Sequence, residues 1–194
     1  MLYVALFGRL LVATVFAVSA FTKLRSRSAF GAFRRSTRRM GILPERLVRP
    51  VAALVVGCEV AIVALVAVPA RMAGIVGLAL AAALLAGLAA AIGIVVRRGT
   101  VTTCQCFGHS AMPLGTFHIG RNLVLIAIAA IAAVVTWIGD GGAELGGALL
   151  AALAGVLGGA LVTVLDDVRT LLIPPAKTSA IRQGSAHPTR RRST

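Results

Sequence analysis

Acidic residues are scarce in this 194-residue chain: six Asp and Glu stand against twenty Lys and Arg, for a net charge of +14. Charged residues of both signs reach only 13% and aromatics 5%, while 58% of residues are hydrophobic and the mean hydropathy is +0.94. That balance excludes an ordinary water-soluble domain. Cysteine is scarce as well. The chain's three cysteines can form at most one intramolecular pair at a time, which excludes a disulfide-stapled scaffold. In a soluble protein the positive excess would suggest a nucleic-acid partner. Here the basic residues avoid the apolar stretches, so they read as membrane-topology charges and no nucleic acid is expected.

What the chain has in abundance is apolar sequence. Five runs, at about Leu2–Phe21, Val48–Val68, Met72–Val96, Asn122–Ile138 and Glu144–Leu165, are each close to the roughly 20 residues that cross a bilayer as helix. A membrane barrel would need short segments of alternating polarity, whereas these runs are apolar on all sides. The expected fold is an all-α polytopic bundle of about five transmembrane helices, embedded in the lipid bilayer of the cell membrane. Val18-Ser19-Ala20 resembles a signal-peptide cleavage site, but the run lacks a basic n-region, Arg9 interrupts it, and its positive charges follow it. An uncleaved first span is the expectation.

Orientation follows from the basic residues, because short loops rich in Lys and Arg stay on the cytoplasmic side. The first connection (nine, from Lys23 to Arg49), the third (Arg97, Arg98, Arg121) and the tail from Arg169 (six) place eighteen on one side, against Arg71 on the other. The N-terminus is then outside, and the third connection and the C-terminal tail are cytoplasmic. Tyr3 and Trp137 fall near the outer interface, where amphipathic rings settle. The first connection mixes Phe30, Phe33, Ile42 and Leu43 with arginines, as an amphipathic interfacial segment does. Residues 173–194 are polar, basic and rich in breakers, and are expected to be disordered. Small residues recur every fourth position at Gly147, Ala151, Gly155 and Gly159, and at Ala79, Ala83, Gly87 and Ala91. Such stripes let helix backbones approach closely, within a bundle or across a homo-oligomer.

The densest chemical signal is Thr102-Thr103-Cys104-Gln105-Cys106-Phe107-Gly108-His109, between the third and fourth runs. An extended stretch holds the Cα atoms of Cys104 and Cys106 near the upper limit of about 6.8 Å for a disulfide. Strained, accessible disulfides are the exchange-active kind. Arg97, Arg98 and Arg121 nearby favour the nucleophilic thiolate, and Gly108 supplies backbone freedom for the turn. Two other readings stand beside redox chemistry: a zinc or copper site using both thiols with His109 and His118, or no thiol chemistry at all.

Glu59, within the second run, is the other signal, since a charge there costs at least about 2.5–3.5 kcal/mol. Arg9 lies about 12 Å from the outer end of its span and Glu59 about 15 Å from the inner end of the next. In a core about 30 Å thick these depths nearly coincide, so an Arg9–Glu59 pair is expected, either fixing helix register or handling a proton. Cys58 reads as a small buried hydrophobe, with a relay thiol as the alternative.

Arg9, Lys23 closing the first run, Leu43-Pro44, Glu59, Cys104-Gln105-Cys106-Phe107-Gly108 and Arg121-Asn122 together resemble the methylamine-utilisation MauE family, within the wider DoxX-like membrane group. The resemblance covers about Arg9 to Trp137. It implies a four-helix domain over 1–140; the additional helix expected over 141–172 and the tail beyond lie outside the resemblance. It also implies a role in maturing methylamine dehydrogenase, whose small subunit carries many disulfides and a tryptophan-derived quinone, alongside a thioredoxin-like partner. The expected function is a thiol–disulfide redox or maturation factor acting on a disulfide-containing client, with Cys104 and Cys106 as the exchanging pair. Arg9–Glu59 is its buried pair; Cys58, Lys23, His109, Arg121 and Asn122 are secondary candidates. The residues name no cofactor. The alternative is a noncatalytic membrane subunit or scaffold whose cysteines bind metal or nothing. A disulfide-forming factor should present thiols outside, yet the charge count puts these on the cytoplasmic side. Either the loop dips into the bundle, electrons cross by a relay, or the charge rule fails here.

Overall fold

The computed structural model describes residues 1–99, 116–139 and 144–172, with 116 and 166–172 as backbone alone. Six helices follow in order: α1 (Leu2–Leu24), α2 (Arg27–Arg39), α3 (Glu45–Ala67), α4 (Arg71–Arg97), α5 (Thr116–Ile138) and α6 (Leu145–Leu172). Among the described residues there is no strand, and five helices, all but α2, are long and apolar enough to cross a membrane. The all-helical membrane bundle is as expected; its boundaries differ. The fourth span begins at Thr116 and not near Asn122, which makes His118 and Arg121 helical. The fifth apolar span, Leu145–Leu165, ends where expected, and its helix runs on to Leu172.

The surface helix α2 is set by local chemistry. Ser26 caps it, its hydroxyl accepting from the Ala29 amide at 3.1 Å. Helical spacing then divides the arginine-rich sequence into two faces. Phe33 is buried against Ala52 and Val56 of α3, with Phe30 beside them. Arg34, Arg35, Arg38 and Arg39 are exposed. The segment expected to be amphipathic is thus a helix lying over the ends of its neighbours. Pro50, in the second turn of α3, removes the backbone donor that would reach the Arg46 carbonyl.

Spans consecutive in sequence run antiparallel, so the C-terminal ends of α1 and α4 share one end of the bundle with the starts of α3 and α5. This is the basic end, where Arg98 of α4 donates to the Gly41 carbonyl at 3.3 Å. At the opposite end the Glu144 amide donates to the Tyr3 hydroxyl at 3.2 Å, and the Arg71 guanidinium lies over the Trp137 ring. The core is built on α1, which packs against all five other helices. Leu11, Val12, Val15 and Phe16 of α1 meet Ile62 and Val66 of α3, Leu78, Ala81 and Leu85 of α4, and Leu125, Ala129 and Ala132 of α5.

Among the described residues α6 touches α1 alone. The reason is the first small-residue stripe. A Cβ on Gly155 would stand 2.6 Å from the Phe7 carbonyl oxygen, one on Gly159 2.7 Å from the Thr14 side chain, and one on Gly147 2.7 Å from the Tyr3 ring. That stripe therefore serves packing within the bundle. Gly155→Val is expected to lift α6 from α1 while α1 to α5 stay assembled. Protease susceptibility of α6 in detergent should rise sharply, with a protected fragment ending before Leu145.

Candidate functional site

Two buried stripes meet between α1 and α3. On α1, Val12, Phe16, Ser19 and Lys23 follow one another at helical spacing; on α3, Ala52, Val56, Glu59, Ile62 and Val66 do the same. Each stripe is apolar except where it carries Ser19 and Lys23 or Glu59, and those three come together. The Lys23 ammonium lies 2.5 Å from Glu59 Oε1, and both side chains are almost wholly buried. Ser19 links them: its hydroxyl donates to Glu59 Oε1 at 2.8 Å and accepts from Lys23 Nζ at 2.7 Å. The ammonium also lies 4.9 Å from the centre of the Phe33 ring, within reach of a cation–π contact, so one charge ties α1, α2 and α3. The other carboxylate oxygen, Oε2, is buried with no hydrogen-bond partner among the described residues.

The ion pair expected between Arg9 and Glu59 is therefore replaced by Lys23–Glu59. Contacts show why the depth argument misplaced it. Glu59 stands beside Ser19, which is about 15 Å along α1 from Arg9 at 1.5 Å per residue. Arg9 instead reaches the end of α3, where Nη2 donates to the carbonyls of Val66 at 2.9 Å and Val68 at 2.7 Å. A helix C-terminus leaves carbonyls without intrahelical donors and carries partial negative charge, so a guanidinium there is a cap. Gly74 makes room for it: a Cβ at that position would lie 2.7 Å from Arg9 Cζ. Gly74→Val is expected to dislodge Arg9 and lose about 1.5–3 kcal/mol, the range for hydrogen bonds to charged groups. A double-mutant cycle with Arg9→Met checks this, because in that background Gly74→Val should cost far less.

The remaining candidates are dispersed. Cys58 is a free, half-buried thiol next to Glu59 on α3. Asn122 is buried on α5, where Arg121 Nη2 donates to its Oδ1 at 3.3 Å. His118 packs edge-on to Phe117 in the first turn of α5. Cys104, Cys106 and His109 lie outside the described residues. Among the described residues no three His, Cys, Asp or Glu side chains gather into a metal-binding group. Sequence reasoning missed Ser19 as a partner and counted Lys23 among the loop charges. The signal was present in the interval of four that continues the Val12–Phe16 face through Ser19 to Lys23.

The arrangement is a desolvated charge cluster between the first and second spans; Cys104 and Cys106 follow α4 in the sequence. A family model described as methylamine utilisation protein MauE matches residues 1–138, which takes in α1 to α5 and leaves α6 outside. Among curated proteins and solved structures, none matches the chain significantly. With more than two-thirds of its length matched, and with the span carrying Lys23 and the span carrying Glu59 both inside the match, the chain belongs to the MauE family of methylamine utilisation proteins.

Proposed function

We propose that this membrane protein is a thiol–disulfide maturation factor in which Cys104 and Cys106 are the exchanging pair. The observation that carries the reading is the Cys-x-Cys sequence in a connection flanked by Arg97, Arg98 and Arg121, in a chain of this family. Arginines near a thiol favour the thiolate, and a two-residue spacing makes its disulfide strained and easily exchanged. In the forward direction a client thiolate attacks one sulfur of the Cys104–Cys106 disulfide and displaces the other as thiolate. The second client thiol then resolves the mixed disulfide, so two electrons and two protons pass from client to the pair. The disulfide of a thioredoxin-like partner takes them up by the same exchange. The client is a protein with several disulfides, such as the small subunit of methylamine dehydrogenase.

The test is redox trapping in cells. After acid quenching and alkylation with a maleimide that shifts mobility, Cys104 and Cys106 should move between reduced and oxidised forms together, while Cys58 does not follow them. A pair that stays fully reduced under all growth conditions would instead support a scaffold without thiol chemistry.

A further inference from the structure

Among the described residues, the second small-residue stripe meets no helix at Gly87. At the end of the bundle opposite the basic loops, α3 and α4 are in close contact: a Cβ on Gly77 would lie 2.8 Å from Val66 and 3.0 Å from Leu65. Nearly three turns further along α4, on a different face of the helix, a Cβ on Gly87 would meet nothing within 4 Å. Toward the basic end the two helices leave a gap. Between them lies a crevice of about 300 Å³, walled by Val51, Val55, Ala83, Gly87 and Ala91 and bordered by Phe33 and Thr37 of α2 and by Met40, which follows it. Thr37 carries the one polar side chain in its lining, and that hydroxyl donates to the Phe33 carbonyl at 3.1 Å. Such a wall has nothing to offer water or a polar head; it suits a hydrocarbon chain.

What would cover it is indicated by charge. The helix that borders the crevice with Phe33 and Thr37 turns Arg34, Arg35 and Arg38 to its outer face. With Arg49 these line a second, polar cleft of about 160 Å³ in which Glu45 is the one acid, 3.6 Å from Arg38. All of these charged side chains are exposed. The geometry points to a phospholipid with an anionic headgroup as the occupant, one acyl chain lying between α3 and α4 under α2 and the phosphate held by the arginines on α2. Basic residues on an amphipathic segment attract anionic lipid heads, whereas neutral lipid gains nothing from them. A binding site of this kind fixes α2 to α3 and α4 and gives the second stripe its use: small side chains on α4 leave width for a chain.

The test uses the full-length protein in detergent with phosphatidylglycerol or phosphatidylcholine bearing the same diazirine-labelled chains. Phosphatidylglycerol is expected to be retained in native mass spectra at least about tenfold more than phosphatidylcholine, with crosslinks mapping to residues 51–55 and 83–91. Gly87→Leu fills the crevice without a backbone clash and should abolish those crosslinks. Gly57→Leu, the same addition where a Cβ also meets nothing within 4 Å but outside the crevice, should leave them intact. Replacing Arg34, Arg35 and Arg38 together by Gln should remove the preference for phosphatidylglycerol. Equal retention of the two lipids by the unmodified protein would overturn the proposal. So would crosslinking that survives Gly87→Leu, or a crevice filled by a second copy, seen as a dimer that Gly87→Leu dissociates.

Discussion

Glu59→Ala is expected to lower the amount of folded, inserted protein far more than Arg71→Ala. Lys23 is held in the bundle with almost no exposure, and the Glu59 carboxylate, 2.5 Å away, is the acid that it faces. Removing that carboxylate takes its counter-charge from an ammonium that the packing of α1, α2 and α3 keeps almost wholly buried. Breaking one side of a buried pair costs about 3–5 kcal/mol, a large share of the stability of a small bundle. Arg71, by contrast, is exposed at the end of the bundle and rests over Trp137. The discriminating variant is Lys23→Met combined with Glu59→Leu, which replaces the pair by apolar side chains of similar length. Exchanges of that kind are often neutral or stabilising, so the double variant should recover most of what either single change loses. Membrane abundance and the thermal midpoint in detergent both report this. Single variants as abundant as Arg71→Ala, or a double variant no better than the singles, would mean that the cluster is not a buried pair.

Hydrophobic runs made the spans legible, because a bilayer demands long apolar helices and few other sequences supply them. The ends were less legible. Residues 116–121 carry His118 and Arg121 and look like loop, yet they are helical, since interfacial turns tolerate polar residues that the hydrocarbon does not. The identity of the buried pair was misread for a similar reason. Counting depth from the ends of apolar runs assumes that each helix starts at the same plane, whereas α3 begins at Glu45, ahead of its apolar run. Lys23 sits in the last turn of α1, where a charge is usually solvated, and its long side chain instead turns inward to Glu59. Helical phase would have found it, because Ser19 and Lys23 continue the face of Val12 and Phe16. The use of a small-residue stripe left no such trace: Ala83, Gly87 and Ala91 look like a packing stripe equal to the one on α6, yet they line a crevice whereas Gly155 and Gly159 meet α1.

Cys104→Ser and Cys106→Ser are each expected to abolish the ability of the gene to complement its own deletion, while the protein stays inserted at normal abundance. With only one of the two thiols the Cys104–Cys106 disulfide cannot form, so a client thiolate has no oxidised pair to attack and either substitution stops the exchange at its first step. Sidedness decides which compartment that exchange serves. With eighteen basic residues assigned to one side and Arg71 to the other, the connection carrying both cysteines is expected to face the cytoplasm. A membrane-impermeant maleimide should then fail to label these thiols in intact cells after mild reduction, and should label them once the membrane is opened. If labelling needs opening and both variants are inactive, electrons must cross the bundle to serve a client outside, or the client is cytoplasmic. Labelling before opening would overturn the outside placement of the N-terminus and set the pair on the oxidising face. Full complementation by both variants would remove the thiol chemistry altogether and leave a scaffold built on the Lys23–Glu59 cluster.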